Sequence, residues 1–383
     1  MKQFVSLQTL KQHLVAELPM DVELSAIIQQ LTENSSSNKS IPESHYQIDP
    51  RDGTISIFSA ARAKRVHTVT NADEQPASDV SCPICDGKLT TVCHIQPLSN
   101  GASFITDNLY PVVTPHGLNP DAHLQFGTQS FIRGGHVFGG HFLQWTSSNH
   151  DDDWHNMPLA DLVLTMQQLA QFAQKLMTEA DVMPKTAGCH HGSRGYITLF
   201  KNYGAKAGAS LSHGHQQLVF ANLMSRSSFN NWRFYGRHME TFADYMLREN
   251  PNSLQLLDLG DVVLLVPYFM HRPYTMMAFI KDTECSHLHQ LSTQQLEQLT
   301  EAMQLAIQAI RSELTDDGKP IAFNVTVHTG PGCGLYVEFL PRADTMGGLE
   351  LQGCWVCQAL PADCYDKLNK RIQMLRVRSN DSC

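Results

Sequence analysis

Gly204–Phe220 reads GAKAGASLSHGHQQLVF, a run of small residues followed by two histidines, two glutamines and an apolar tail. The tail has the pattern of a strand. Alternation places His213, His215 and Gln217 on one face, while Gly214, Gln216 and Leu218 point the other way. Three polar side chains on one strand face require a reason. One histidine alone would read as a satisfied core residue. Two at strand spacing, entered from a glycine-rich loop, favour a site.

The chemistry of these residue types is specific. A neutral imidazole is a nucleophile near pH 7, and the phosphoramidate that it forms with phosphorus is labile enough to be passed on. His215 is the candidate nucleophile. Gln217, two residues on, can donate to a phosphate oxygen as charge grows on it. Gly204, Ala205, Ala207, Gly208, Ala209 and Ser210 are small enough for backbone amides to approach phosphates closely.

Phe200–Gln217, FKNYGAKAGASLSHGHQQ, resembles the active-site segment of the galactose-1-phosphate uridylyltransferases and their relatives in the histidine-triad superfamily, which include ADP-glucose phosphorylases. The resemblance runs from about Gln47 to about Leu375. It implies an α+β fold of two fused histidine-triad-like halves, each an antiparallel sheet packed with helices, with a zinc-clamped active-site strand. It also implies a homodimer, and as substrates a nucleotide sugar with a sugar 1-phosphate or orthophosphate.

Length and composition fit that expectation. A chain of 383 residues is long for one core and suits two domains or a fused pair. Apolar content of 42% and charged content of 17% describe a soluble globular protein. A net charge of -9 argues against a nucleic-acid partner. No apolar run reaches the length of a membrane span, and the start MKQFVSLQTLKQHLVAELP has no signal-peptide core, so a cytoplasmic location is expected. The 10 cysteines then read as thiols and metal ligands, not as a disulfide framework.

Three segments follow from the pattern. Residues 1–40 form a helical extension and linker, with apolar residues at helical spacing on either side of Pro19 and then the polar run ENSSSNKS. Residues 41–224 form the catalytic half. Residues 225–383 repeat its order of strand, long helix, strand, glycine loop and strand, which signals an internal duplication. That copy has Tyr336, Val337 and Glu338 in place of HGHQQ, so one catalytic site per chain is expected.

Other candidates lie along the chain. Arg62 and Arg65 follow the turn Asp52-Gly53 and the strand Thr54–Ser59; forked guanidinium groups suit a diphosphate, and the family has two phosphate-contacting arginines there. Cys82 and Cys85 in SCPICDGK place two thiolates on one tight turn, which suits zinc, with a redox pair as the alternative. The resemblance supplies the other two ligands, His150 and His213, with His141 and His155 as rivals. Zinc in that family is structural. Asn108 resembles a nucleotide-contacting asparagine, with a plain turn residue as the alternative. Asn202, where a strand from Tyr196 feeds the loop, joins the substrate-binding set with Gly208, Ala209 and Ser210. His190 and His191 read as turn or surface residues. In MGGLELQG, Glu350 stands at the family's sugar-binding glutamate, whereas Asp344 and Leu349 replace its lysine and tyrosine. Cys354 and Cys357 in CWVC read as buried thiols on a strand.

These residues together imply a nucleotidyl transfer through His215. A hydrolase using water as acceptor and a zinc-stabilised nucleotide binder without turnover are the other readings.

Overall fold

The computed structural model of the chain describes residues 3–15, 44–59, 62, 82–113, 134–137, 139–178 and 195–380. Its strands are β1 (Ser44–Ile48), β2 (Ile55–Ser59), β3 (Val92–Pro97), β4 (Ala102–Asp107), β5 (Gly134–His136), β6 (Gly139–Trp145), β7 (Tyr196–Tyr203) and β8 (His215–Ala221). They continue as β9 (Gln255–Asp258), β10 (Val262–Leu265), β11 (Met276–Ile280), β12 (Phe323–His328) and β13 (Tyr336–Pro341). β1, β2 and β5 make a small sheet. The others form one sheet of ten in the order β3-β4-β6-β8-β7-β12-β13-β11-β10-β9, antiparallel throughout.

That order contains the duplication. Numbered within its own half, the first set runs 1-2-3-5-4 and the second, read inward from β9, also runs 1-2-3-5-4. The halves meet at their fourth strands, β7 and β12, with Lys201 opposite Val325. Each half inserts its long helix between its third and fourth strands, at Leu159–Thr178 and Thr293–Asp316.

Those helices form where apolar residues recur every three or four positions. Leu162, Met166, Leu169, Ala173 and Leu176 are buried on the first, and Leu296, Leu299, Met303, Ile307, Ile310 and Leu314 on the second. The second starts at Ser292, whose side chain accepts from the Gln295 amide while Gln295 reaches back to the Ser292 amide. Both helices pack on the face carrying Leu218, Phe220, Val337 and Phe339, in one continuous core. Burying each leucine there contributes roughly 1.5–3 kcal/mol.

The opposite face is covered differently in the two halves. Over the first lie Val5 and Leu10 of the N-terminal segment with Cys82 and Ile84 of the CxxC turn, packed on Val92, Phe104 and Trp145. Over the second lies the helix Phe242–Glu249, whose Ala243 and Met246 pack on Val263, Met277, Phe279 and Tyr336.

Several expectations change. The N-terminal pattern yields one short helix, Leu7–Gln12, capped by Ser6; its second half and the linker lie outside the described residues, as do Arg65, His190 and His191. CWVC is not a strand: it follows the short helix Gly348–Leu351 as irregular backbone, with Cys354 exposed and Cys357 half-buried. This backbone pairs with no strand, so Cys354 is left in solvent, while Cys357 packs from the edge against the main core.

Candidate active site and metal centre

β7 ends at Tyr203 and the chain turns at Gly204, where φ is 81° and a Cβ would stand 2.5 Å from the Ile321 carbonyl oxygen. A glycine is therefore required both by conformation and by space. A 3₁₀ turn, Ala205–Ala207, follows, and Gly208 takes the left-handed conformation. The amides of Gly208 and Ala209 donate inside the loop, to Ala205 O at 2.9 Å and Gly204 O at 3.2 Å. This corrects the expectation that they serve as phosphate donors, because each already has its partner. Gly208 contributes open space instead: no atom lies within 4 Å of where its Cβ would be. Asn324 supports the loop from β12, donating to Ala207 O at 2.9 Å and to Asn202 Oδ1 at 2.8 Å, while Arg342 donates to Asn324 Oδ1.

Beyond the loop, Cys82, Cys85, His150 and His213 converge, their ligand atoms all within 4.8 Å of one another. Cys82 Sγ lies 3.7 Å from His213 Nδ1, and Cys85 Sγ lies 3.6 Å from both His150 Nδ1 and His213 Nδ1. A tetrahedral ion with metal–sulfur bonds of about 2.3 Å and metal–nitrogen bonds of about 2.0–2.1 Å has S···N edges of roughly 3.5 Å. The set therefore fits one metal ion. His213 Nε2 donates to Ser147 O at 2.8 Å, and His150 Nε2 lies 3.2 Å from Ser212 Oγ, so both rings turn Nδ1 inward. Burial alone would raise the Cys82 thiol, but hydrogen bonds with His150 and His213 bring it down to about 5. Burial and the Cys82 charge push Cys85 up to about 12. A bound dication would let both be thiolates.

The rival ligands are elsewhere. His155 is half-buried against Tyr203, its carbonyl accepting from Gln308. His141 lies in β6, with Gln217 of the neighbouring strand 3.0 Å from its Nε2.

His215 opens β8 and is buried against Trp145, with ring centroids 5.1 Å apart. Its Nδ1 donates to the His213 carbonyl at 2.8 Å, and no hydrogen bond from a described residue reaches Nε2. Burial pulls its pKa down to about 4, so the ring is neutral at pH 7. Between the two histidines, a Cβ on Gly214 would stand 2.7 Å from Asp153 Cγ, so the motif needs glycine there.

That aspartate belongs to a pair that the sequence reading missed. Lys201 Nζ meets Asp153 Oδ1 at 2.7 Å, both almost fully buried, and donates to the His215 carbonyl at 3.1 Å. Burial lowers the Lys201 pKa, while its ammonium holds the Asp153 carboxyl below the usual range against burial. A signal existed. Ile197, Leu199 and Lys201 form the buried row of β7, and a lysine in such a row needs a counter-ion.

The remaining candidates are spread out. Arg62 Nη1 donates to Tyr110 O at 3.4 Å, and Asn108 Oδ1 accepts from the Tyr110 amide at 2.8 Å, while its Nδ2 lies 3.1 Å from His141. Arg62 and Asn108 thus reach the same β4–Pro111 connection, beside Gln217. Glu350 is apart, lining a cavity with Arg272, Lys319 and Trp355, its carboxylate accepting from the Gly347 and Val356 amides.

No family model matches the chain. A curated protein of Arabidopsis thaliana described as ADP-glucose phosphorylase is 25% identical over 342 residues, covering 82% of this chain and 89% of that one. The chain is thus similar to proteins of the galactose-1-phosphate uridylyltransferase-like family. Solved structures share the fold of that family. A uridylyltransferase structure superposes with a TM-score of 0.65 at 17% identity, covering 86% of this chain and 99% of that chain. An Arabidopsis thaliana ADP-glucose phosphorylase with bound ADP-glucose gives 0.57 at 21% identity, covering 85% and 98%. Within this uridylyltransferase-like frame, Asp344 is paired with Lys319 at 3.3 Å and Leu349 is 53% exposed. Neither position offers a cation or a hydroxyl.

Proposed function

We propose that this chain moves a nucleoside monophosphate between a nucleotide sugar and a phosphate-bearing acceptor through a covalent nucleotidyl-His215. The observation that carries this is the fixed tautomer of His215, whose Nδ1–H is spent on the His213 carbonyl and whose Nε2 lone pair is left for a substrate.

The first step forms a bond from Nε2 to the α phosphorus and breaks the bond from that phosphorus to the bridging oxygen, releasing sugar 1-phosphate. Positive charge then grows on the ring, and the His213 carbonyl faces it at Nδ1. The Gln217 amide donates to a non-bridging oxygen of the transferred group, and Arg62 and Arg65 orient the diphosphate. In the second step an acceptor phosphate oxygen attacks the same phosphorus and returns the electron pair to Nε2. Asn202, Gly208, Ala209 and Ser210 shape the loop that the phosphates approach. Glu350 belongs to the sugar end.

Two thiolates and two imidazoles at tetrahedral spacing suit zinc, held by Cys82, Cys85, His150 and His213. Its role would be to fix His213, and through it the His215 partner. A homodimer in the cytoplasm belongs to the same proposal. Exposed Leu349, Leu351, Val356 and Leu360 on one short segment support an interface.

Orthophosphate as the acceptor has specific support. The curated relative is described as a phosphorylase, and Asp344 and Leu349 remove two polar groups from the sugar end. Incubation with a panel of α-labelled UDP-, ADP- and GDP-hexoses should leave acid-labile, base-stable label on the protein. A chase with orthophosphate or with a hexose 1-phosphate then identifies the acceptor by which one removes the label faster. Turnover without any labelled protein would overturn the covalent route.

A further inference from the structure

His141 is nearly fully buried and is not a metal ligand, yet three polar groups are arranged around its ring. Its place in the sheet explains why. β6 and β8 pair with His141 opposite Val219 and Leu143 opposite Gln217, so His141 and Gln217 are diagonal neighbours on the same face as His215.

The state of the ring follows from one backbone bond. The Val112 amide lies 3.2 Å from His141 Nδ1, and a backbone N–H can only donate. Nδ1 is therefore an acceptor without a proton, and the neutral ring carries its proton on Nε2. Of the two described side chains at Nε2, Gln217 is the one that can accept, through Oε1 at 3.0 Å. Asn108 presents its Nδ2 there, because its own Oδ1 already accepts from the Tyr110 amide. Asn108 therefore cannot take the His141 proton.

A primary amide has two ends of similar shape and opposite polarity. Turned one way, Gln217 donates N–H to a phosphoryl oxygen; turned the other, it sets Oε1 against that oxygen and repels it. We propose that His141 is a positioning residue that selects the donating orientation of Gln217, by holding Oε1 with its Nε2–H. This inference rests on the nucleotidyl-transfer reading above, in which the Gln217 amide faces the transferred phosphoryl group. The order of control runs from the Val112 amide to the His141 tautomer, then to the Gln217 amide and the substrate. It assigns a role to the segment Asn108–Val112 that does not require it to touch the phosphate. A donor whose bond strengthens as charge develops acts mainly on the rate of the chemical step.

The test measures single-turnover labelling of His215 by an α-labelled nucleotide sugar. His141→Leu should lower the labelling rate by about 10²-fold, within the range of losing one such donor, and change the half-saturating substrate concentration by about threefold or less. His141→Gln, which carries an N–H at the end of a side chain of similar reach, should recover most of that rate. In a Gln217→Ala background, His141→Leu should slow labelling no further. Thermal midpoints of all variants check that each is folded. A wild-type labelling rate in His141→Leu, no recovery in a folded His141→Gln, or additive effects in the double variant would each overturn the positioning role. No label on the wild-type protein with any nucleotide sugar overturns the transfer reading itself, and this inference with it.

Discussion

In the first half, the fifth strand starts with a buried histidine whose Nε2 has no hydrogen-bond partner among the described residues, beneath a cysteine turn. In the second half the same strand starts with Tyr336, beneath a helix, and both Tyr336 and the neighbouring His328 are engaged. Tyr336 donates to Asn231 at 3.2 Å, and His328 sits between Glu338 at 3.1 Å and Ser227 at 3.0 Å while stacking on Tyr336. The sheet, the helix insertion and the strand order are shared. Under the proposed function, what separates the reacting strand from its structural counterpart is whether the local network leaves one good nucleophile without a partner.

The largest test of that contrast is a pair of substitutions at the start of the two fifth strands. His215→Gly should lower nucleotidyl transfer by on the order of 10⁴-fold or more, as loss of a covalent nucleophile does, whereas Tyr336→Phe should leave it within about threefold. A radiolabelled exchange assay between nucleotide sugar and sugar 1-phosphate measures both. Comparable losses would mean that the second half takes part in the chemistry.

Metal content is the next point of difference. Among the described residues the second half has no cysteine–histidine cluster like that of the first, so about one ion per chain is expected. Cys82→Ser should lose it and lower the unfolding free energy by about 4 kcal/mol or more. Elemental analysis with denaturant titration checks both parts. Two ions per chain would break the comparison.

Across the seam, Lys201 of β7 faces Val325 of β12, a buried charge against an apolar residue. Asp153→Asn leaves that ammonium without its anion and should cost about 3–5 kcal/mol. Replacing both partners, with Lys201→Met and Asp153→Leu, should cost less than either single change. An additive double variant would show that the two groups act independently.

Acid should also act mainly on the first half. Burial draws His215, His94 and His155 from about 6.5 down to about 4, and of the second half's residues His287 shifts as far. Because the unfolded chain binds those protons near pH 6.5 and the native chain only near 4, stability falls as pH drops through that window. Labelling of His215 should stay flat from pH 8 to about 5 and fall towards pH 4. A fall centred on 6.5 would show that the ring is not buried when it reacts.

The smallest expected effect concerns the second long helix, whose start rests on the Ser292 cap. Ser292→Ala should cost about 1 kcal/mol, read from the denaturation midpoint, with no change in labelling.

Much of this was legible in the sequence because the signals were local. Alternation around His215, the spacing of Cys82 and Cys85, and the helical stripes each depend on residues a few positions apart. The repeat of strand, long helix and strand also revealed the duplication. What was not legible depends on partners distant in the chain. Asp153 and Lys201 are 48 positions apart by number, and only the odd lysine in the β7 row pointed to them. His141 looked like a spare zinc ligand, since nothing in its neighbourhood names Gln217. The Gly208 and Ala209 amides escaped for a different reason: small residues show that a backbone can approach a phosphate, but not that its N–H groups are unspent.

The meeting of the two halves at β7 and β12 has an evolutionary reading. In a pair of identical separate chains, every substitution appears twice, once on each side of the axis. A change that ruins one site then ruins both. Joining the copies in one chain makes their pairing independent of concentration and lets each side mutate alone. Within one chain the second half carries Tyr336 and its hydrogen-bonded neighbours where the first carries His215, a difference that two identical chains could not hold.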